Sequence, residues 1–280
     1  MKSGNKNQKI PFEDLYIYNF QGKVCEEDEQ ILGDAFIGNW VEDDSSFLFF
    51  SKKSYAIISK LLARNSNLTY LDDYHFTYKH WQGGDFFTIR VGNLLITSPW
   101  EDAEAKTGEI KILLDPGVVF GTGLHPTTRN CLEALLYLHG IVPFRKVLDL
   151  GTGTGILAIS AAALSANEVT ALDLNPLAVK TAIGNVKLNG FDGIIDVVEG
   201  RAEDAIKRSG DLIIANIHYE VISYLFDQDE FLENEWIIVS GLMRSQAFEL
   251  KDKVQKRGLK VSKEWDHEMT WYTYLLKKRN

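Results

Sequence analysis

A predicted strand ends in three closely spaced glycines, and a predicted helix begins directly after them. The segment VLDLGTGTGILAI contains Asp149, Gly151, Gly153 and Gly155. Glycine tolerates a tight turn and lets the backbone approach a ligand closely. Free amides in such a loop, and at the start of the next helix, favour an anionic group. The pattern predicts a ligand-binding loop, although a tight turn without a ligand also fits the glycines.

An acid ends the next predicted strand, EVTALD, about twenty residues after the first glycine. Dinucleotide-binding sheets place the carboxylate that holds a ribose at this point. Asp173 therefore predicts a ligand that contains a ribose.

The glycine spacing distinguishes between two cofactors of this kind. The dinucleotide fingerprint is G-x-G-x-x-G, whereas here Gly155 follows Gly153 after a single residue. The form D-x-G-x-G-x-G resembles the first motif of the S-adenosylmethionine-dependent methyltransferases. That cofactor ends in an amino acid, so its carboxylate would take loop amides and Asp149 would help to hold its ammonium group. A nicotinamide cofactor is the competing interpretation.

A polar residue, Asn216, ends the predicted strand DLIIANI. Open α/β sheets collect their ligand contacts at these carboxyl ends. We weigh two interpretations: a side chain that faces the reacting methyl group or its acceptor, and a residue that caps the next helix. The Pro-Pro that often follows such an Asn in nucleic-acid and glutamine methylation is replaced by Ile217 and His218.

A second glycine-rich loop, DPGVVFGTGLHPTTRN, spans 115–130 and precedes an amphipathic segment. We expect its turn to bring Thr128, with Phe120 and His125, over a cofactor held by residues 151–155. A lone histidine is more often a hydrogen-bonded structural residue than a catalytic one, so both roles stay open for His125.

The chain after Gly140 alternates between apolar strands and amphipathic helices. Such alternation indicates a mostly parallel sheet with helices on both faces. The last two predicted strands, 259–267 and 270–278, leave no room for a helix and should form an antiparallel hairpin at the sheet edge. With the glycine motif, this predicts an α/β fold: a Rossmann-like class I methyltransferase domain with a mostly parallel seven-stranded sheet and an antiparallel edge hairpin.

The first part of the chain has a different pattern and predicts a small α+β domain. A helix is predicted over 54–65, and the acidic run at 25–30 predicts a solvated helix start. Aromatic and β-branched segments predict strands within 14–20, 47–51, 68–78 and 86–98. We expect this small domain over 1–98, a charged linker over 99–109 and the methyltransferase domain over 110–280.

The composition limits the partners and the location. The chain has 280 residues, 45% of them hydrophobic, and a formal net charge of −9. Acidic chains are unsuited to binding phosphate backbones broadly, so we expect a small molecule or a basic partner and no nucleic acid. Cys25 and Cys131 indicate neither a disulfide framework nor a metal site. A polar N-terminus and the lack of a long apolar run predict a cytoplasmic protein.

Several blocks together resemble one family, the PrmA-type methyltransferases. They are LLDPGVVFGTGLHPTTRNCLEAL, VLDLGTGTGILAI, LDLNPLAV, IIANI and IVSGLM, preceded by IRVGNLLITSPWED. The resemblance runs from about Phe86 to the C-terminus, and F-G-T-G-x-H-P-T-T is its specific part. It implies transfer of methyl groups from S-adenosylmethionine to amine nitrogens, on lysine or the N-terminus, of the eleventh large-subunit ribosomal protein.

The resemblance also implies roles for particular residues. Family positions that contact the cofactor match Thr128, Gly151, Asp173 and Asn216, and a small N-terminal domain of the family recognises the protein substrate. Two features depart from the family: residues 1 to about 80 do not align with that domain, and aliphatic residues after Asn216 are replaced by His218 and Tyr219.

Methyl transfer from S-adenosylmethionine needs little acid or base catalysis, because alignment of the reacting atoms supplies most of the rate acceleration. A lysine acceptor must be neutral, however, and a desolvated pocket favours that form. We expect Asn216 to orient its lone pair and keep His125 as a second catalytic candidate. Two other functions stay open: methylation of a different protein or small-molecule amine, and cofactor binding or docking without catalysis.

Two tryptophans and an acid, Trp265, Trp271 and Glu268, lie in or between the last two predicted strands. Aromatic residues favour strands, so packing at the sheet edge is the preferred interpretation over a role in binding.

Overall fold

The computed structural model describes residues 9–81, 88–205, 207–208 and 210–279. The chain divides into two compact units, Met1–Phe87 and Thr88–Asn280. This division falls earlier than the boundary predicted at residue 98.

The first unit is an α+β structure. Its helices and strands, in chain order, are β1 (Asp14–Gln21), α1 (Glu26–Glu29), β2 (Phe36–Glu42), β3 (Ser45–Phe50), α2 (Tyr55–Arg64), β4 (Thr69–Thr77) and α3 (Tyr78–Trp81). In the described part of this unit the strands form one antiparallel sheet in the order β2-β3-β1-β4. Apolar side chains of β1 and β3 pack against Ile58 and Leu61 of α2 and form the core.

Most of the predicted elements of this unit are confirmed. β1, β3, β4 and α2 lie where the sequence predicts them. β2 was not predicted, because FIGNWVE contains a glycine and alternates weakly. The acidic run does start a helix, but one of its residues is not solvated: Asp28 is buried, with Arg64 at 3.5 Å and a hydrogen bond from Asn65 of 2.7 Å.

The second unit alternates strands and helices. Its elements, in chain order, are β5 (Thr88–Val91), β6 (Leu94–Thr97), β7 (Ile110–Leu113), α4 (Pro126–His139), β8 (Lys146–Leu150), α5 (Ile156–Ala163), β9 (Glu168–Asp173), α6 (Pro176–Leu188), β10 (Ile195–Glu199), β11 (Leu212–Asn216), α7 (Tyr219–Leu225), β12 (Trp236–Met243), α8 (Arg244–Lys256), β13 (Leu259–His267) and β14 (Trp271–Lys278). Short 3₁₀ turns lie at Ala202–Ala205 and Phe231–Glu233.

Within the described residues of the second unit, the main sheet has seven strands in the order β10-β9-β8-β11-β12-β14-β13. Strands β10 through β12 are parallel, and β14 pairs antiparallel with both β12 and β13. The predicted Rossmann-like sheet and its antiparallel edge hairpin are therefore confirmed. The carboxyl ends of β8, β9, β11 and β12 meet at one edge of the sheet, as parallel strands require.

A small sheet, β5-β6-β7, accounts for the position of the division between the units. β6 pairs parallel with β7, so the strands on either side of the predicted linker belong to one sheet. Residues 99–109 connect β6 to β7, and Glu109 in this connection accepts a hydrogen bond from Arg90 of β5 at 2.9 Å. This pairing is long-range and has no signature in the local sequence pattern. Phe86 and Phe87, predicted to begin a strand, lie outside the described residues.

None of the described helices is both long enough and apolar enough to cross a lipid bilayer.

Candidate active site

The glycine loop lies between β8 and α5, at the carboxyl edge of the main sheet. Gly153 has a φ of +56°, which favours glycine. A Cβ on Gly153 would collide with the backbone oxygen of Phe120, and one on Gly151 would collide with the side chain of Ile217. These glycines are therefore required by close packing of the backbone against two other loops.

Each amide of the loop already has an acceptor, which differs from the expectation of free amides for an anion. The amides of residues 151 and 152 donate to the carbonyl of Leu172, at 2.8 and 2.9 Å. The Gly153 amide donates to Asp173, that of Thr154 to the carbonyl of Phe120, and that of Gly155 to the carbonyl of Thr152. The amides of the loop therefore hold it against neighbouring segments of the protein and are not free donors.

Asp173 ends β9 beside this loop, as the sequence predicts. Its Oδ2 accepts the Gly153 amide at 2.9 Å, and its Oδ1 accepts the Asn175 amide at 2.9 Å. Burial raises the pKa of Asp173, and these amide hydrogen bonds oppose the rise. The side chain is only partly buried, and its carboxylate can accept a further donor besides the amides of Gly153, Leu174 and Asn175.

Asp149 lies underneath the loop. It is fully buried, and its Oδ2 accepts a hydrogen bond from the hydroxyl of Thr152 at 2.6 Å. Burial raises the pKa of Asp149 to about 7. In this position the carboxyl group supports the loop from below, and its predicted contact with a cofactor stays a prediction.

The second glycine-rich loop lies directly against the first. The Thr154 amide donates to the carbonyl of Phe120 at 3.1 Å, and the Thr154 hydroxyl donates to the carbonyl of Gly121 at 2.5 Å. The ring of Phe120 is half exposed next to this contact. The structure thus brings the two loops into direct contact, and the expectation that they serve a single ligand stays a prediction.

Asn216 and Thr128 meet at the same edge of the sheet. Asn216 ends β11, and its Nδ2 donates to Oγ1 of Thr128 at 3.4 Å. Thr128 is buried in the first turn of α4. A Cβ on Gly241 in β12 would lie 3.4 Å from Oδ1 of Asn216 and 3.0 Å from the carbonyl oxygen of Ile217. Two acceptor oxygens therefore lie side by side over a residue without a side chain.

His125 is the N-cap of α4, and its side chain accepts a hydrogen bond from the amide of Thr127. This contact gives His125 a structural role. Its Nδ1 lies 2.8 Å from Oγ1 of Thr127. Its ring contacts Phe120 and Trp271, with ring centroids 5.3 and 5.2 Å apart. Burial, and to a smaller extent His267, lowers the pKa of His125. The predicted catalytic role of His125 stays a prediction.

The other residues singled out in the sequence lie in different places. His218 is exposed at the start of α7, and Tyr219 is half-buried, with burial raising its pKa to about 12. Trp271 of β14 contacts His125 at the site, whereas Trp265 packs with its ring centroid 6.0 Å from that of Tyr137. Glu268 lies in the turn between β13 and β14, with a φ of +50°.

Asn185 is a supporting residue that the sequence reasoning missed. It is buried in α6, and its Nδ2 donates to the carbonyls of Asp115 and Thr154, at 2.8 and 2.9 Å. Its Oδ1 accepts the Asp115 amide at 2.8 Å. Asn189, one turn later, holds Leu113 in the same way. A signal was available for Asn185, because Asn is disfavoured in the interior of a helix unless its side chain has partners, whereas Asn189 is the C-cap of α6.

Comparison with known proteins places the chain in a family. The family model described as ribosomal protein L11 methyltransferase (PrmA) matches residues 23–279. The chain belongs to the PrmA family. The match begins nearer the N-terminus than the resemblance in the sequence indicated, so most of the first unit is included in it.

Individual relatives agree with this assignment. A ribosomal protein L11 methyltransferase of Desulforamulus reducens is 40% identical over 192 residues, 67% of this chain and 61% of the relative. One of Halalkalibacterium halodurans is 40% identical over 176 residues, 62% of this chain and 56% of the relative. The chain thus spans about three fifths of the length of these curated relatives.

A solved structure supports the fold of the PrmA-type domain. The crystal structure of a ribosomal protein L11 methylase from Lactobacillus delbrueckii subsp. bulgaricus aligns with a TM-score of 0.59 and 28% identity. The alignment covers 69% of this chain and 98% of that structure.

Proposed function

We propose that this protein transfers methyl groups from S-adenosylmethionine to amine nitrogens of ribosomal protein L11, on lysine or the N-terminus. One observation carries the proposal. The Asn216–Thr128 pair, the glycine loop and Asp173, the acid at the position that binds ribose in related sheets, all lie at the same edge of the sheet. Membership of the PrmA family and the names of the relatives support the reaction and the substrate.

The residues at the site fit this cofactor. Gly151 and Gly153 let the loop turn tightly against Ile217 and Phe120, at the sheet edge where open α/β sheets collect their ligand contacts. Asp173 can still accept a hydrogen bond from a ribose hydroxyl, because the three neighbouring amides do not use all of the lone pairs of its carboxylate. Leu174 and Phe120 are 63% and 51% exposed and offer apolar surface for an adenine ring. Because amides 151–155 have acceptors already, we expect the carboxylate of the cofactor to bind donors outside the loop.

S-adenosylmethionine supplies a methyl group already activated by a sulfonium, so the protein has to align the acceptor and keep it neutral. Oδ1 of Asn216 and the carbonyl of Ile217, both beside Gly241, are placed to accept two N–H groups of an amine. This contact would point the lone pair of the nitrogen away from the two oxygens. The bond from Asn216 to Thr128 leaves Oδ1, not Nδ2, to face the amine.

The first unit is proposed to recognise the substrate, as the resemblance implies for the N-terminal domain of the family. A protein that modifies a ribosomal protein would act in the cytoplasm, where ribosomes assemble. The formal net charge of −9 supports a basic protein as the partner and argues against nucleic acid.

Calorimetry with S-adenosylmethionine, followed by incubation with isotopically labelled cofactor and unmodified L11, tests the proposal. We expect binding, and mass increments of one or more methyl groups on L11. Absence of binding would overturn the cofactor assignment. Binding without transfer to any protein would favour a docking role, and labelling of other cellular proteins or amines but not L11 would favour a different substrate.

A further inference from the structure

β4 forms an open edge of the sheet in the first unit. It pairs with β1 on one side, and within the described ranges no strand pairs with its other side. The strand is nine residues long, and most of its side chains are exposed on both faces of the sheet. An open edge of this length is a template for another strand, unless local features prevent pairing.

The direction of the backbone N–H and C=O groups shows which residues of β4 could hydrogen-bond to an added strand. The amide of Asp73 donates to Oδ1 of Asp72 at 2.8 Å, so it points away from β1. Backbone groups alternate direction along an antiparallel strand, so those of His75 and Thr77 also point outward. Just beyond the strand, the amide of Tyr78 donates to the carbonyl of Glu13 at 2.8 Å, as that alternation requires.

Large side chains flank this edge. Tyr70, Leu71 and Tyr74 are 36%, 50% and 42% exposed. The pairing register with β1 shifts between Asn19 and Phe20, so the first part of β4 is irregular while the part that includes His75 pairs regularly. Irregular pairing discourages strand addition. The regular half of β4 is therefore the half suited to an added strand.

The edge is acidic. β4 contains Asp72 and Asp73 but no lysine or arginine, and Asp14 of β1 lies opposite Thr77. Hydrogen bonds from the hydroxyls of Tyr70 and Tyr55 lower the pKa of Asp73 and keep it ionised. Among residues 9–81 there are twelve acids and seven lysines and arginines. Charge at this edge thus favours a basic occupant.

Charge also distinguishes between two occupants. A second copy of this chain would add the negative charges of its own Asp72 and Asp73 to an edge that already carries both, which opposes the pairing electrostatically. A ribosomal protein carries lysines and arginines that neutralise RNA phosphates. We propose that the outer edge of β4 binds an extended basic segment of the protein substrate as an added antiparallel or parallel strand. This inference rests on the proposed function, because it assigns a docking surface to that substrate.

His75→Pro tests the backbone of this edge. The amide of His75 points outward, so proline there breaks no hydrogen bond to β1 but removes a donor and obstructs an added strand. We expect KM for L11 to rise at least about tenfold while kcat and the affinity for S-adenosylmethionine stay within about twofold. Direct binding of L11, measured by interferometry, should weaken by the same factor.

His75→Ala is the matched control. Both substitutions remove the stacking of His75 on Tyr16, with ring centroids 4.4 Å apart, and the contact with Asp14 at 2.8 Å. Only the proline variant changes the outward amide. We expect the KM of the alanine variant to rise less than about threefold, because strand addition depends on backbone hydrogen bonds. Circular dichroism checks that both variants are folded.

Asp72→Lys and Asp72→Asn test whether the negative charge of the β4 edge favours a basic segment. The asparagine keeps an oxygen acceptor for the Asp73 amide but removes the charge, and the lysine reverses it. We expect L11 binding to weaken from wild type to asparagine to lysine, and the difference to shrink at high salt. Equal affinity of the wild type and both variants for L11 would overturn the choice of a basic occupant.

The outcomes separate this inference from the proposed function. Methylation of L11 with the same KM in His75→Pro and wild type would overturn the docking site and leave the function intact. Binding of L11 that His75→Pro weakens, without methylation by the wild type, would overturn the function and leave the docking site intact. Concentration-dependent dimers of the wild type that His75→Pro abolishes would show that a second copy occupies the edge. Absence of any L11 binding by the wild type would also overturn the inference.

Discussion

Substitution of Gly153 by alanine tests whether the two glycine-rich loops must touch. Gly153 has a φ of +56°, a conformation that costs a residue with a Cβ roughly 1–2 kcal/mol. The new methyl group would also collide with the carbonyl oxygen of Phe120, which accepts the Thr154 amide at 3.1 Å. Loss of that hydrogen bond adds about 1 kcal/mol. We expect the free energy of unfolding to fall by about 2–3 kcal/mol.

Gly190→Ala is the matched control for this prediction. Gly190 has a φ of +71°, but no atom lies within 4 Å of the position that a Cβ would take. Both substitutions therefore carry the conformational penalty and the same reduction of freedom in the unfolded chain. The difference between them isolates the collision with Phe120.

Urea unfolding and calorimetry with S-adenosylmethionine measure the two effects. Displacement of the Phe120 loop should weaken the affinity of Gly153→Ala for the cofactor about tenfold or more, equivalent to about 1.4 kcal/mol. Gly190→Ala should bind as the wild type does, because it lies at the far end of α6. Equal destabilisation by the two alanines, with unchanged affinity in both, would refute the reasoning.

Three further predictions concern single side chains of the site. Asp173→Asn removes the charge from the acid beside the glycine loop, and calorimetry should show an affinity for S-adenosylmethionine about ten to a hundred times weaker, because hydrogen bonds to charged groups contribute most. Asn216→Ala should lower kcat, measured at saturating S-adenosylmethionine, about a hundredfold through loss of acceptor alignment. Because burial raises the pKa of Asp149 to about 7, the folded protein holds that proton more tightly than the unfolded chain, and stability should fall as the pH rises from about 4 to about 7, by roughly 4 kcal/mol at most. Asp149→Asn should flatten that slope in urea melts at a series of pH values.

Each of these expectations can fail on its own. Full turnover by Asn216→Ala would remove the acceptor-orienting role. Unchanged cofactor affinity in Asp173→Asn would show that this acid does not bind the ribose. An unchanged pH slope in Asp149→Asn would mean that folding does not raise the pKa of Asp149.

The sequence by itself determined the main sheet, the edge hairpin and the position of the two glycine-rich loops. These features depend on periodicity and on local residue types: apolar runs form strands between helices, and glycines mark the loop after β8. Asp173 and Asn216 could be predicted for the same reason, since the end of a parallel strand is a local position. The first-unit strands with clear aromatic or β-branched runs were also predictable, whereas β2, interrupted by Gly38, was not.

Only the tertiary structure decided how these parts bond to one another. The acceptors of the loop amides, such as the carbonyls of Leu172 and Phe120, lie far from the loop in sequence. The same holds for the pairing of β6 with β7, which places residues 88–97 in the second unit. Long-range hydrogen bonds depend on where separate segments meet in space, and no local pattern encodes that meeting. The sequence therefore determined which residues are candidates for the site, and the fold decided which of their polar groups already have hydrogen-bond partners.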